Sequence, residues 1–311
     1  MMNDVRLLDR YERRTGLTHQ EGALDLARRM PDLIVAAKEV ASSVMHGVHG
    51  RRRAGIGETF WQFRPFVTGE PAAGIDWRRS ARDDRLYVRE REWEAAHSVF
   101  IWMDRSPSMG FVSKLALQSK IDRALILGLA AADLLVRGGE RVGILGLTRT
   151  IAARNIIELF AESMLAEERA ANFSPAELPP GRTLDARSQV VLIGDFLTDP
   201  GELARVLQIL TARGAHGHLV MIADPVEETF PFTGHTEFLD VDSPATLRVG
   251  NAEAFRDDYI VRLAAHREAV FAAARRRAMT FMLHRTDRPA SEALLALRMR
   301  LEAEPHMVEA R

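Results

Sequence analysis

Ser98-Val99-Phe100-Ile101-Trp102-Met103-Asp104-Arg105-Ser106-Pro107-Ser108-Met109-Gly110-Phe111 is the stretch whose reading decides the fold. Val99 to Met103 is a short, nearly continuous apolar run, the pattern of a strand buried on both faces. The run stops at Asp104. In a locally extended segment, side chains alternate, so Asp104, Ser106 and Ser108 point the same way. One carboxylate and two hydroxyls at the carboxyl end of a buried strand make an all-oxygen cradle, which suits Mg²⁺ or Mn²⁺ rather than zinc or copper. A helical pattern follows from about Lys114, and in open α/β sheets such strand-to-helix loops are where ligands bind. Asp and Ser are also common turn residues, so the same five positions equally describe a loop closed by a serine cap.

Downstream, the pattern alternates as a doubly wound fold requires. Leu115 to Leu135 reads as an apolar-striped helix closed by Gly138-Gly139. Arg141 to Leu147 is a strand, and Thr150 to Ala153 returns antiparallel to it at the sheet edge. A helix over Asn155 to Ala170 and a loop over Leu178 to Leu184 lead to a second buried strand, Gln189 to Ile193, which ends in Gly194-Asp195-Phe196. Pro200 to Arg213 is helical, and His218 to Ala223 is a third core strand ending in Asp224-Pro225. Two short strands, a long helix to about Arg277, a last strand from Thr280 and a helix from Pro289 complete the alternation. If the two strands that end in aspartate are neighbours across the switch point, Asp104 and Asp195 face one crevice. Thr183 is placed to supply a third hydroxyl, with Ser174 and Thr198 as alternatives.

Upstream, Glu21 to about Met45 carries a helical pattern, with Pro31 expected to start a second helix because proline is tolerated in a first turn. His46 and His49 have no third ligand close by and read as a polar helix end. Gly55 and Gly57 follow no buried strand and precede no Lys-Ser/Thr, so they do not form a phosphate loop. Thr59 to Val67 is rich in aromatics, and Leu86 to Glu94 alternates apolar with charged residues, so Arg51 to Glu94 reads as a small β-rich unit. Within it, Asp76 is expected to pair with Arg78, Arg79 or Arg82, and Trp77 to bury a large face. The segment then either locks this unit to the α/β domain or docks a partner.

Composition narrows the function classes. With 42 basic and 43 acidic side chains, a broad nucleic-acid surface is not expected. The chain has no cysteine, which excludes disulfides, thiolate metal sites and cysteine nucleophiles. No apolar run approaches the roughly 20 residues that span a bilayer, and the start lacks a signal-peptide apolar region. The expectation is a soluble cytoplasmic protein without membrane insertion.

Gly55-x-Gly57-x-x-Phe60, then Arg64, Gly69, Ile75-Asp76-Trp77, Ser80-Ala81-Arg82, Val88-Arg89, Glu92 and Glu94, ahead of a strand ending in Asp-Arg-Ser-Pro-Ser-Met, resembles the ordered signature of the domain-of-unknown-function 58 family. That family is bacterial and archaeal and carries a von Willebrand factor A-like domain. The likeness runs from about Ala36 to the end of the α/β region. It departs at Gly69-Glu70-Pro71-Ala72-Ala73, which lacks an acid and a base of the family's Gly-Asp-Asp-x-Arg turn.

The resemblance implies a mostly parallel, doubly wound, von Willebrand factor A-like sheet over residues 98–311, preceded over residues 1–97 by helices and a small β-rich unit. It also implies a metal-ion-dependent adhesion site made of Asp104, Ser106, Ser108, Thr183 and Asp195, holding Mg²⁺ or Mn²⁺. Two carboxylates balance one such ion, and Mg²⁺ keeps waters where protein ligands run short. The amino end of the helix expected after Ser108 would favour an incoming carboxylate. This is the logic of a non-catalytic interaction module. The implied partners are a MoxR-type AAA+ ATPase and an unidentified client, in a chaperone-like system that matures protein or metal complexes. The alternative is a metal-dependent, phosphatase-like hydrolase using the same aspartates, for which the loops offer no histidine base.

Overall fold

The computed structural model describes residues 19–47, 60–67, 72, 75–82, 85–91, 97–170, 173–239 and 246–303. The chain separates into two compact units, Met1–Val48 with His97–Arg311, and His49–Ala96. The expectations for His49, Gly55, Gly57, Gly69, Glu92 and Glu94 fall outside the described residues.

Helix α1 (His19–Gly47) is one continuous element with Pro31 inside it, not the two helices expected. Leu26, Met30, Leu33, Ala37, Ala41 and Val44 are each at most 6% exposed. They form one apolar stripe at helical spacing that runs past the proline. Pro31 itself is exposed, and burial of the stripe on both sides outweighs the hydrogen bond that proline removes.

In the small unit, β1 (Phe60–Pro65) pairs antiparallel with β2 (Tyr87–Arg91), with Phe63 opposite Arg89 and Pro65 opposite Tyr87. Between them lies one helical turn, α2 (Trp77–Ser80). Asp76 caps this turn by accepting from the Arg79 backbone N–H at 2.9 Å, so its carboxylate serves a helix end rather than the expected arginine pair. Ser80 Oγ donates to the Asp76 carbonyl at 2.8 Å and accepts from the Tyr87 N–H at 2.9 Å, which ties the turn to β2. Arg79 lies over the Tyr87 ring at 4.7 Å. Trp77 is 63% exposed, contrary to the expectation that it is buried. Asp76→Ala should cost about 1 kcal/mol of local stability, read as faster hydrogen exchange at the Arg79 amide.

The other unit is built on five parallel strands: β3 (Ser98–Met103), β4 (Arg141–Ile144), β5 (Ser188–Gly194), β6 (His216–Ala223) and β9 (Thr280–Arg285). Their spatial order is β4-β3-β5-β6-β9. The chain leaves β3 toward β4 and returns to β5 on the other side, so the switch point lies between β3 and β5. Ile151 closes the β4 edge antiparallel through reciprocal hydrogen bonds with Val142 of 2.8 and 2.9 Å, as expected for Thr150 to Ala153. Every residue of β5 is buried, which explains its unbroken apolar run.

Helices cover both faces. On one face α1 packs with α3 (Lys120–Arg137), α4 (Ile156–Glu168) and α8 (Ala290–Ala303) over Val99, Ile101, Met103, Val191 and Ile193. On the other, α5 (Pro200–Leu210) and α7 (Arg256–Arg275) cover Trp102, Val190, Leu192, Leu219 and Met221. The short helix α6 (Pro225–Thr229) and the hairpin β7 (Thr236–Leu239) with β8 (Thr246–Val249) follow β6. The packing therefore groups α1 with residues 97–311, whereas the sequence division at residues 97 and 98 groups it with the β-rich segment. No described helix is long and apolar enough to cross a membrane.

Candidate functional site

Asp104 leaves the end of β3 with its N–H donating to the Ile193 carbonyl of β5 at 2.8 Å. Its side chain therefore sits over the β3–β5 switch point, 1% exposed. One oxygen, Oδ1, accepts from the Ser106 N–H at 2.8 Å, the turn that Asp makes with the backbone two residues on. The other, Oδ2, is buried and accepts no hydrogen bond. The Ser106 and Ser108 hydroxyls lie 3.1 Å apart, brought together by the single 3₁₀ turn Pro107–Gly110. Asp104, Ser106 and Ser108 are thus linked through Ser106, by a backbone turn and a 3₁₀ turn rather than by the alternation of an extended segment.

Gly194, on β5, makes room for the aspartate. A Cβ there would lie 2.9 Å from Asp104 Cβ, 3.1 Å from its Oδ2 and 3.3 Å from the Trp102 ring. Gly194→Ala should displace Asp104 and cost about 1–3 kcal/mol, measured by urea denaturation. Ala186, exposed in the loop before β5, is a control that should tolerate Ser within about 0.5 kcal/mol.

Asp195 follows directly and is 4% exposed. Phe196, fully buried, turns the chain there with φ of 49°, a left-handed conformation that is strained for a bulky residue. Its carbonyl is 2.7 Å from His266 Nε2 on α7. Asp195 Oδ1 accepts from the Leu197 N–H at 3.3 Å. Its Oδ2 accepts from Lys120 Nζ at 2.8 Å, and the same ammonium donates to Glu227 Oε1 at 2.6 Å.

Lys120, Glu227 and Asp224 are the residues that the sequence reading missed. Lys120 is the first residue of α3, whose cap is Ser119, accepting from the Asp122 N–H at 3.2 Å. The helix therefore starts at Lys120, not at Leu115, and no α-helix begins directly after Ser108. The charge this region brings to the site is the lysine ammonium, carried on the first residue of α3. Asp224 caps α6 through the Val226 N–H at 2.9 Å, and Glu227 Oε2 reaches back to the Asp224 N–H at 2.8 Å. Asp224 also accepts from the Ser113 N–H at 2.9 Å, which pins the loop before α3.

Two opposite electrostatic situations sit side by side. Burial alone would pull the Lys120 ammonium down, but the Asp195 and Glu227 carboxylates more than reverse it and the lysine stays charged. Asp104 is pushed up to about 8, first by burial and then by the Asp195 charge, against the hydrogen bonds from Ser106. Without a further cation, Asp104 therefore holds its proton at neutral pH.

The donor set fits a hard divalent cation. The unpartnered, buried Oδ2 of Asp104 and the paired Ser106 and Ser108 hydroxyls are oxygen donors of the kind that Mg²⁺ or Mn²⁺ takes. With Asp104 ionised, the carboxylates of Asp104, Asp195 and Glu227 exceed the Lys120 charge by two, which one such ion would cancel. Among the described residues, no three His, Asp or Glu side chains group as a metal site, so the cradle rests on Asp104 and the hydroxyls. Thr183 is exposed in its loop and is not among the hydrogen-bonded groups of the site. Of its alternatives, the Thr198 hydroxyl is buried without a hydrogen bond. Ser174 lines a separate cavity of about 220 Å³ with Trp102 and Arg105. Arg105 turns away from Asp104 to pair with Glu167 and Glu168 and to cover the Phe173 ring at 5.1 Å.

A family model described as "Protein of unknown function DUF58" matches residues 62–269. No curated protein matches the chain. Among solved structures, it is similar to the conserved hypothetical protein BatB from Bacteroides thetaiotaomicron, with 14% identity over 67% of this chain and 99% of that one and a TM-score of 0.35.

Proposed function

Since this chain belongs to the family described as protein of unknown function DUF58, we propose that it is a non-catalytic interaction module with a von Willebrand factor A-like α/β unit, holding a divalent cation at the β3–β5 switch point and presenting it to a carboxylate of a partner protein. The observation that carries this reading is Asp104, whose buried Oδ2 has no hydrogen bond and whose proton is held to about pH 8. A carboxylate so placed gains most from a cation. In this reading Asp104, Ser106 and Ser108 hold the ion, Mg²⁺ or Mn²⁺, and Asp195 stands as the second carboxylate behind them. When bound, the ion supplies a Lewis-acidic position that accepts one more oxygen ligand. The chain's own residues shape that position: Gly194 lets Asp104 lie flat on the sheet end, and the turn Pro107–Gly110 aims the two hydroxyls. The third hydroxyl is Thr183 if its loop folds in on the bound state.

By family resemblance the proposed partners are a MoxR-type AAA+ ATPase and a client of a maturation pathway in the cytoplasm. The test is capture from a lysate by wild type and by Asp104→Ala, each with Mg²⁺ or with EDTA. The reading expects one partner set, including an AAA+ ATPase, retained by wild type with Mg²⁺ and lost in the other three samples. Retention in all four contradicts it. Phosphate-ester and peptide substrates should stay intact with Mg²⁺ or Mn²⁺ present. Turnover abolished by Asp104→Ala would instead favour the hydrolase reading.

A further inference from the structure

The Lys120 ammonium is 1% exposed and stands where burial and the helix dipole both oppose a cation. It is the first residue of α3, and a cation at a helix amino end works against the helix dipole. Burying it also costs desolvation that an apolar residue in the same place would avoid. What holds it is the pair of carboxylates, Asp195 on one side at 2.8 Å and Glu227 on the other at 2.6 Å. Its nearest ring, Phe111, is 5.9 Å away. Asp195 therefore spends one oxygen on an ammonium inside the site that the previous section assigns to a divalent cation.

We propose that Lys120 is a built-in competitor for Asp195, a residue that sets the affinity of the site for a divalent cation low. The proposal rests on the metal reading above and deepens it. In the metal-free protein, Lys120 pairs with Asp195 and offsets only part of its charge, which still opposes ionisation of Asp104. An ion held by Asp104, Ser106 and Ser108 draws on the same Asp195 carboxylate, and Lys120 opposes it both by occupying Oδ2 and by like-charge repulsion. Glu227 keeps the ammonium satisfied when its hold on Asp195 weakens, so the lysine yields without being left unpaired. Weak, exchangeable binding follows, and occupancy of the site tracks the free cation level.

The experiment is isothermal titration of Mn²⁺ into the full chain, for wild type, Lys120→Met and Lys120→Gln. The glutamine amide keeps an N–H donor facing the carboxylates, one bond shorter in reach, without the charge. A thermal melt by circular dichroism confirms that it is folded. Affinity should rise about tenfold or more in both variants, the equivalent of about 1.4 kcal/mol of removed opposition. Equal or weaker binding by folded Lys120→Gln overturns the proposal. If wild type binds Mn²⁺ and the variants match it, Lys120 is only a structural bridge and the metal reading stands. If neither wild type nor the variants bind at millimolar Mn²⁺, both fall. A second measurement needs no variant that folds: in wild type carrying ¹⁵N-lysine, the Lys120 Nζ resonance should shift as Mg²⁺ is added, and a resonance unmoved at saturating Mg²⁺ overturns the proposal.

Discussion

Asp104→Asn should make the metal-free protein more stable at neutral and alkaline pH while abolishing its response to Mg²⁺ or Mn²⁺. The native carboxyl is raised from 3.8 to about 8 by burial and by Asp195. Between those two values the native state binds a proton that the unfolded chain has released. The contribution of Asp104 to metal-free stability therefore falls as pH rises from about 4 to about 8 and levels off above, where a buried, unmatched carboxylate has to be carried. Each unit of displacement is worth about 1.4 kcal/mol, so the total is on the order of several kcal/mol. Asparagine has the same shape, and its Oδ1 can still accept from the Ser106 N–H, but it carries no charge. His218 and His284, held neutral down to about 4 by burial, add a rise with pH that both proteins share, so urea denaturation in EDTA should show the advantage of Asp104→Asn over wild type widening from about pH 4 to about 8. With saturating Mg²⁺ that widening should disappear, because the ion takes the place of the proton. Parallel profiles, or a variant less stable than wild type at about pH 9, would show that Asp104 is an ordinary loop carboxylate.

Ala37→Glu should be the most damaging single change away from the site. Ala37 is fully buried on α1 in the core shared with α3, α4 and α8. A glutamate there must either bury an unpaired carboxylate or lift α1 off its partners, and the extra volume has nowhere to go in a packed interface. A loss of about 3 kcal/mol or more is expected, read as a lower denaturant midpoint for the whole α/β unit. Glu39, exposed on the same helix, is the control, and Glu39→Ala should stay within about 0.5 kcal/mol. If Ala37→Glu were tolerated, α1 would be an appendage and not a wall of the core.

Much of the sheet was legible because its strands are covered on both faces. β3, β5 and β6 read as apolar runs, and two of them end in the aspartates that the topology brings to one switch point. Helix boundaries were less so. Leu115 and Leu117 continue the apolar rhythm of α3 upstream, yet they are 59% and 94% exposed, so they mimic a stripe that nothing buries. The better signal was Ser119 with Asp122 three residues on, the pattern of a helix cap. Asp224-Pro225-Val226-Glu227 likewise spells a capping box, which would have flagged Glu227 as a helix-end residue though not as a partner of Lys120. The lysine itself carried no local signal. Its partners are 75 and 107 residues away, and only the fold joins them. Pro31 misled in the opposite direction, because a breaker read locally is overridden by an apolar stripe continuing on both sides.

The account turns on Asp104 exchanging its proton for a divalent cation. Titrating Mg²⁺ into the full chain at about pH 7, below the raised value of Asp104, in two buffers of different ionisation enthalpy, measures both halves of that exchange at once. One binding site with close to one proton released per ion, absent in Asp104→Asn, is the expected result. No binding at millimolar Mg²⁺, or binding that Asp104→Asn retains, would contradict it.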